Sequence, residues 1–170
     1  MKQANIIVMG VSGSGKTTIG ELLAKQLGRP FYDGDDFHSA ANVAKMAAGH
    51  PLTDADRHDW LASLAKYLGE WETAGGAVLA CSALKETYRQ TLQAGEQLPL
   101  VWVFLDGSRE LLESRLEGRK AHYMKASMLD SQLDTLEKPA YGIRIELNNS
   151  ETPAQVVARV VAQLPAPAAG

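Results

Sequence analysis

The apolar run Ile6-Ile7-Val8-Met9 leads without interruption into Gly10-Val11-Ser12-Gly13-Ser14-Gly15-Lys16-Thr17-Thr18. A strand that breaks into a glycine-rich turn and then a helix is the arrangement a phosphate cradle needs. The glycines let backbone N–H groups converge, and the helix adds the positive end of its dipole. Lys16 is expected to reach the β- and γ-phosphates and the Thr17 hydroxyl to hold Mg²⁺. After Lys16 the residues Ile19, Leu22, Leu23 and Leu27 recur at helical spacing, and Gly28 and Pro30 supply a stop. The pattern predicts a nucleoside triphosphate as ligand.

The rest of the chain alternates strands with helices. Apolar runs at Ala77–Cys81 and Leu100–Leu105, a short one near Phe31-Tyr32 and a last one at Ile143–Leu147 read as strands. Between them, Thr53 and Asp56 resemble a capping box ahead of Trp60, Leu61, Leu64, Leu68 and Trp71, a helix of about five turns. Thr152-Pro153 with Gln155 starts a final helix striped with Val156, Val157, Val160, Val161 and Leu164. Such alternation implies βαβ units. The expected architecture is α/β, a three-layer P-loop NTPase fold whose five-stranded parallel sheet carries helices on both faces. With 170 residues the chain is expected to form one domain over 1–170, with a frayed tail at 165–170. A net charge of −3 gives no reason to expect nucleic acid or a membrane surface as partner. With no signal-peptide pattern, no long apolar run and a lone Cys81 read as a buried thiol, the expected location is cytoplasmic.

In a parallel sheet ligands collect where the strands end. After the second strand stand Asp33-Gly34-Asp35-Asp36. If the chain stays extended there, Asp33 and Asp35 emerge on one face. One would hold Mg²⁺ through water and the other would accept a hydrogen bond from an acceptor hydroxyl. Positive charge gathers from Arg115 through Arg119 and Lys120 to Lys125, the pattern of a mobile lid over about 115–130 that would bring Arg119 to the migrating phosphate. Arg57 sits near the start of a helix, against the dipole, and suits a carboxylate or hydroxyls of the acceptor. Lys85 and Arg89 lie one helical turn apart after the third strand and are candidates to point into the same cleft. His38, His50 and His58 have no metal-ligand spacing with one another or with Cys81.

Four segments together resemble the gluconokinase family. They are the phosphate loop with Met9 and Thr18; Asp33 to His38 with Asn42, Lys45-Met46, Gly49, Pro51 to Asp54, Arg57 and Trp60-Leu61; Cys81-Ser82-Ala83-Leu84-Lys85 with Tyr88-Arg89; and Arg115, Arg119, His122-Tyr123, Ser131-Gln132 and Leu136-Glu137. The second and third are the specific ones. The resemblance covers nearly the whole chain and implies a nucleoside-monophosphate-kinase-like fold, often homodimeric. It also implies transfer of the γ-phosphoryl group of MgATP to the terminal hydroxyl of D-gluconate. By the same likeness Lys16, Asp35 and Arg119 are the expected catalytic residues, and Arg115 packs near adenine. Asp35, Arg57, Lys85, Arg89, His122 and Gln132 are the residues expected to meet gluconate. Tyr123 stands where the family has Phe, and Asp59 where Pro is common. The alternatives are another small-metabolite kinase, acting on shikimate or a different sugar acid, and a nucleotide-binding switch. Against a GTPase switch, the chain has no Asn-Lys-x-Asp and no Asp three positions before a glycine.

Overall fold

The computed structural model describes residues 2–117 and 126–165. Five strands form one parallel sheet: β1 (Ile6–Met9), β2 (Phe31–Asp33), β3 (Val78–Ala80), β4 (Val101–Asp106) and β5 (Ile143–Glu146), in the order β2-β3-β1-β4-β5. The helices between them are α1 (Lys16–Leu27), α2 (Ala40–Ala47), α3 (Asp54–Thr73), α4 (Glu86–Gln93), α5 (Arg109–Glu117), α6 (Ala126–Thr135) and α7 (Pro153–Gln163). Chain order departs from spatial order on either side of β1, so a crevice opens at the carboxyl end of the central strands.

Helices cover both faces, which is why β1 is apolar and buried at all four positions. Its alternate side chains separate two cores. Ile7 and Met9 pack with Leu61, Leu64 and Leu68 of α3 and Leu92 of α4. Ile6 and Val8 pack with Leu23 of α1 and with Val157 and Val160 of α7. The expected helix starts carry their caps: Thr53 with Asp56 and Thr152 with Gln155 each form a reciprocal capping box. At the other end of α1, Gly28 takes the left-handed conformation, φ 68°, that closes a helix on its own carbonyls.

A buried polar knot ties the far end of the sheet together. Asn5, fully buried, donates from Nδ2 to Leu68 O at 2.8 Å and to Glu96 Oε1, and accepts from Ala77 N at 2.8 Å. Nearby, buried Glu72 accepts from the backbone N–H groups of Gln97 and Leu98. Burial first, and the Glu72 charge in addition, push the Glu96 carboxyl up to about 8 against the pull of Asn5. The folded protein therefore keeps a proton on Glu96 that the unfolded chain loses above its ordinary 4.5. Stability from this group is complete below that value and is lost as pH rises through about 8. Urea midpoints measured between pH 6.5 and 8.5 are expected to fall more steeply with pH for the wild type than for Glu96→Gln; equal slopes would show that Glu96 titrates alike in both states.

Candidate active site

The loop between β1 and α1 is shaped by three glycines at positive φ: Gly10 (151°), Gly13 (84°) and Gly15 (88°). A Cβ on Gly10 would come within 2.8 Å of Ser14 Oγ and 3.0 Å of Leu105 O, so the turn leaves no room for a side chain. Gly15 is the N-cap of α1 and supplies no side chain to bond the first-turn N–H groups. Lys16 Nζ reaches back across the loop to Val11 O at 3.2 Å. Thr18 lies on the outer side, with Ser14 and Gly15, in a depression shared with Arg115, Leu147 and Pro153. Arg115 bonds from Nη1 to the carbonyls of Gly13 and Ser14, both at 3.3 Å. From α6, Gln132 accepts the Ser12 N–H at 2.7 Å.

Asp33, which ends β2, and Asp35 do not share a face as an extended chain would place them. At Gly34 the backbone turns into a 3₁₀ helix, Gly34–Phe37, capped by Asp33. Asp33 Oδ1 accepts the Asp35 N–H at 3.0 Å, and Oδ2 accepts from Thr17 Oγ1 at 2.9 Å. Asp33 thus faces the loop and Asp35 the crevice. Among the described residues no three His, Cys, Asp or Glu side chains gather to bind a metal. The Thr17–Asp33 oxygen pair instead fits Mg²⁺, which keeps several waters and needs few protein ligands besides phosphates.

A cleft beside the loop is lined by Ser12, Lys16, Asp35, His38, Arg57, Trp60, Ser82 and Gln132, with Met46, Leu52, Leu84 and Met128 as apolar wall. Trp60 of α3 holds its floor by donating from Nε1 to Gly34 O at 2.7 Å. Arg57 donates from Nη1 to Leu52 O at 2.7 Å and to Tyr88 Oη at 3.1 Å, and its guanidinium lies 5.3 Å from the Tyr88 ring centre. Lys85 is drawn to Asp54 at 3.2 Å, and Tyr88 also donates to Asp54; together the two bonds hold the Asp54 carboxyl below its ordinary value. Lys45 pairs with Asp56 at 2.6 Å, and the Lys45 and Thr53 bonds pull that carboxyl down to about 2.

Of the residues singled out in the sequence, Lys16, Asp35, Arg57 and Gln132 meet in this cleft, while Arg115 flanks the outer depression. Arg119 and His122 lie outside the described residues, as does the segment 118–125 of the expected lid. Arg89 is a correction. It is only 2% exposed and does not share a cleft with Lys85. Its nitrogens bond Ala83 O at 2.8 Å, Glu137 O at 2.9 Å, Tyr141 Oη at 3.0 Å and Glu86 Oε2 at 3.1 Å. The reason lies in the turn after β3: Ala83 adopts a φ of 45°, unfavourable for a residue with a Cβ, and Arg89 pins its carbonyl.

The sequence placed His38 in a family-like segment and showed no metal spacing for it, but assigned it no role at the site. Its side chain is 3% exposed and stacks on Trp60, ring centres 4.1 Å apart. Burial, then the nearby Arg57 charge, push it down to about 4, with Asp33 acting the other way. The imidazole is therefore neutral near pH 7. The signal was present in the spacing Asp35-x-x-His38, since side chains three apart eclipse in a 3₁₀ turn.

A family model described as shikimate kinase matches residues 12–165. The gluconokinase of Gluconobacter oxydans (strain 621H) is 52% identical over 140 residues, covering 82% of this chain and 78% of that one. The crystal structure of a gluconokinase from Sinorhizobium meliloti 1021 superposes with a TM-score of 0.84 at 40% identity, covering 94% of this chain and 90% of the other. The APS kinase CysC of Mycobacterium tuberculosis, 19% identical with a TM-score of 0.69, shares the fold.

Proposed function

The chain belongs to the gluconokinase family, and from that premise we propose that it transfers the γ-phosphoryl group of ATP to the terminal hydroxyl of D-gluconate, giving 6-phospho-D-gluconate. The observation that carries this reading is the single cleft in which Lys16 of the phosphate loop, Asp35 and Arg57 all meet. Phosphoryl transfer asks little covalent chemistry of a protein, so the work is positioning and charge stabilisation. Lys16 neutralises charge on the transferring group, and Arg119 is assigned the same task from the segment beyond α5. Asp35 accepts the hydrogen bond of the attacking hydroxyl and takes up its proton as the new O–P bond forms and the bond from the γ-phosphorus to the β–γ bridging oxygen breaks, releasing ADP. Arg57, Lys85, Gln132 and His122 are assigned to the carboxylate and remaining hydroxyls of the acceptor. Arg89 supports the turn that carries Ser82 and Leu84 rather than reaching the acceptor itself.

The outer depression, with Arg115, Thr18 and Pro153, suits a flat base adjacent to the loop, in keeping with an adenine site. Thr17, and Asp33 through water, would hold Mg²⁺, which when bound would supply positive charge against that of the phosphates. We further propose a homodimer in the cytoplasm, built from one kinase domain per chain. The family likeness supports the dimer, and the buried free thiol Cys81 suits a reducing compartment. Among the described residues no helix is long and apolar enough to cross a membrane.

An ADP-release assay with MgATP tests the reaction against gluconate, shikimate, glucose, glycerate and nucleoside monophosphates, with a control lacking acceptor. Turnover on gluconate alone is expected. Turnover on another member would keep the kinase and discard the acceptor, and ATP hydrolysis indifferent to every acceptor would favour a switch.

A further inference from the structure

We propose that His38 is a positioning residue for phosphoryl transfer: its neutral imidazole, held in the Nε2–H tautomer by Asn42, donates to Asp35 and turns that carboxylate toward the acceptor hydroxyl. The inference rests on the assignment of Asp35 as the acceptor contact.

The tautomer follows from the hydrogen-bond geometry. Asn42 Nδ2 donates to Asp56 O at 2.8 Å, and because a carbonyl only accepts, the Asn42 amide group is oriented with its NH₂ on this side. The same Nδ2 lies 3.4 Å from His38 Nδ1. Facing an NH₂ group, Nδ1 acts as the acceptor and the ring proton resides on Nε2. Nε2 in turn lies 3.8 Å from Asp35 Oδ1, a spacing that tightens on modest rotation of the more exposed aspartate. The ring cannot move to meet it, since it is stacked on Trp60, which is itself bonded to Gly34 O in the turn that bears Asp35. Asp35 therefore sits on the solvent side of a rigid assembly, its side chain 58% exposed against 3% for His38. A donor fixed on one oxygen of that carboxylate sets its orientation before the acceptor arrives.

The test compares His38→Phe, which keeps the stack on Trp60 and removes the donor, with His38→Gln, whose amide N–H has about the reach of Nε2. With MgATP and gluconate, His38→Phe is expected to lose about 10- to 100-fold in kcat while the KM for ATP stays unchanged. His38→Gln is expected to regain most of that loss. Wild-type kcat in His38→Phe, or equal losses in both variants, would overturn the proposal. ¹⁵N NMR of the ring nitrogens gives a readout independent of turnover, and its assignment of the tautomer needs only the wild-type protein. Nε2 is expected to carry the proton and to shift in Asp35→Asn. A proton on Nδ1, or an Nε2 signal indifferent to Asp35→Asn, would overturn it as well. If the wild type does not turn over gluconate, the substrate assignment fails, while the NMR result still decides the His38–Asp35 contact.

Discussion

Asp35→Asn is expected to lower kcat by about 10²- to 10⁴-fold while leaving ATP binding near the wild-type level. The substitution preserves size and one acceptor oxygen, so it isolates the charge and the second oxygen. Asparagine cannot take the proton that leaves the hydroxyl as the new O–P bond forms, and its NH₂ group faces a hydroxyl and a ring N–H with donors only. ATP binding is expected to be spared because Asp35 follows β2, outside the phosphate loop, and its backbone N–H bonds Asp33 whichever side chain it carries. The neighbouring Asp36, exposed and outside the cleft lining, provides the control: Asp36→Asn should keep full turnover. Steady-state kinetics together with calorimetric titration of ATP check both. Full turnover in Asp35→Asn would remove Asp35 from the mechanism.

The second large effect is expected at Arg57. Arg57→Met should reduce kcat/KM for gluconate by roughly 30- to 1,000-fold, the equivalent of about 2–4 kcal/mol for removing one partner of a desolvated charge pair. The KM for ATP should not change. Both of its hydrogen bonds leave from Nη1, toward Leu52 O and Tyr88 Oη, so the guanidinium is held in place by one nitrogen with the rest of the fork available to an acceptor carboxylate. Arg57→Lys keeps the charge without the fork and is expected to fall between the two. The same charge helps push His38 down to about 4, so in Arg57→Met the imidazole should titrate closer to its ordinary 6.5, a shift readable by NMR. An unchanged kcat/KM for gluconate would place acceptor recognition elsewhere in the cleft.

Much of this arrangement was legible before any coordinates. The five strands fall where the sequence predicted them: the inner strands β1, β3 and β4 are almost wholly apolar because helices cover both faces, while edge strand β5 alternates buried Ile143 and Ile145 with exposed Arg144 and Glu146. The capping boxes at Thr53 and Thr152 are local chemistry, complete within four residues, and the structure carries both. The phosphate loop was equally plain, since its glycine spacing reflects backbone conformations that few other residues tolerate.

What the sequence alone determined is therefore whatever depends on neighbours a few residues apart: the strands, the helices α1, α3 and α7, the caps, the loop and the likeness that identifies the family. Direction was left to the tertiary structure. Helical spacing put Lys85 and Arg89 one turn apart, but only packing turned Arg89 inward to four partners, three of them more than four residues away, and left Lys85 on Asp54. The turn at Gly34 sent Asp33 to Thr17 and Asp35 into the cleft, where an extended chain would have set them side by side. His38 became part of the site because Trp60, 22 positions on, supplies the ring it stacks against and Asn42 is anchored by Asp56. Such contacts depend on side chains distant in sequence converging after the cores have closed, and residue spacing carries no record of that convergence.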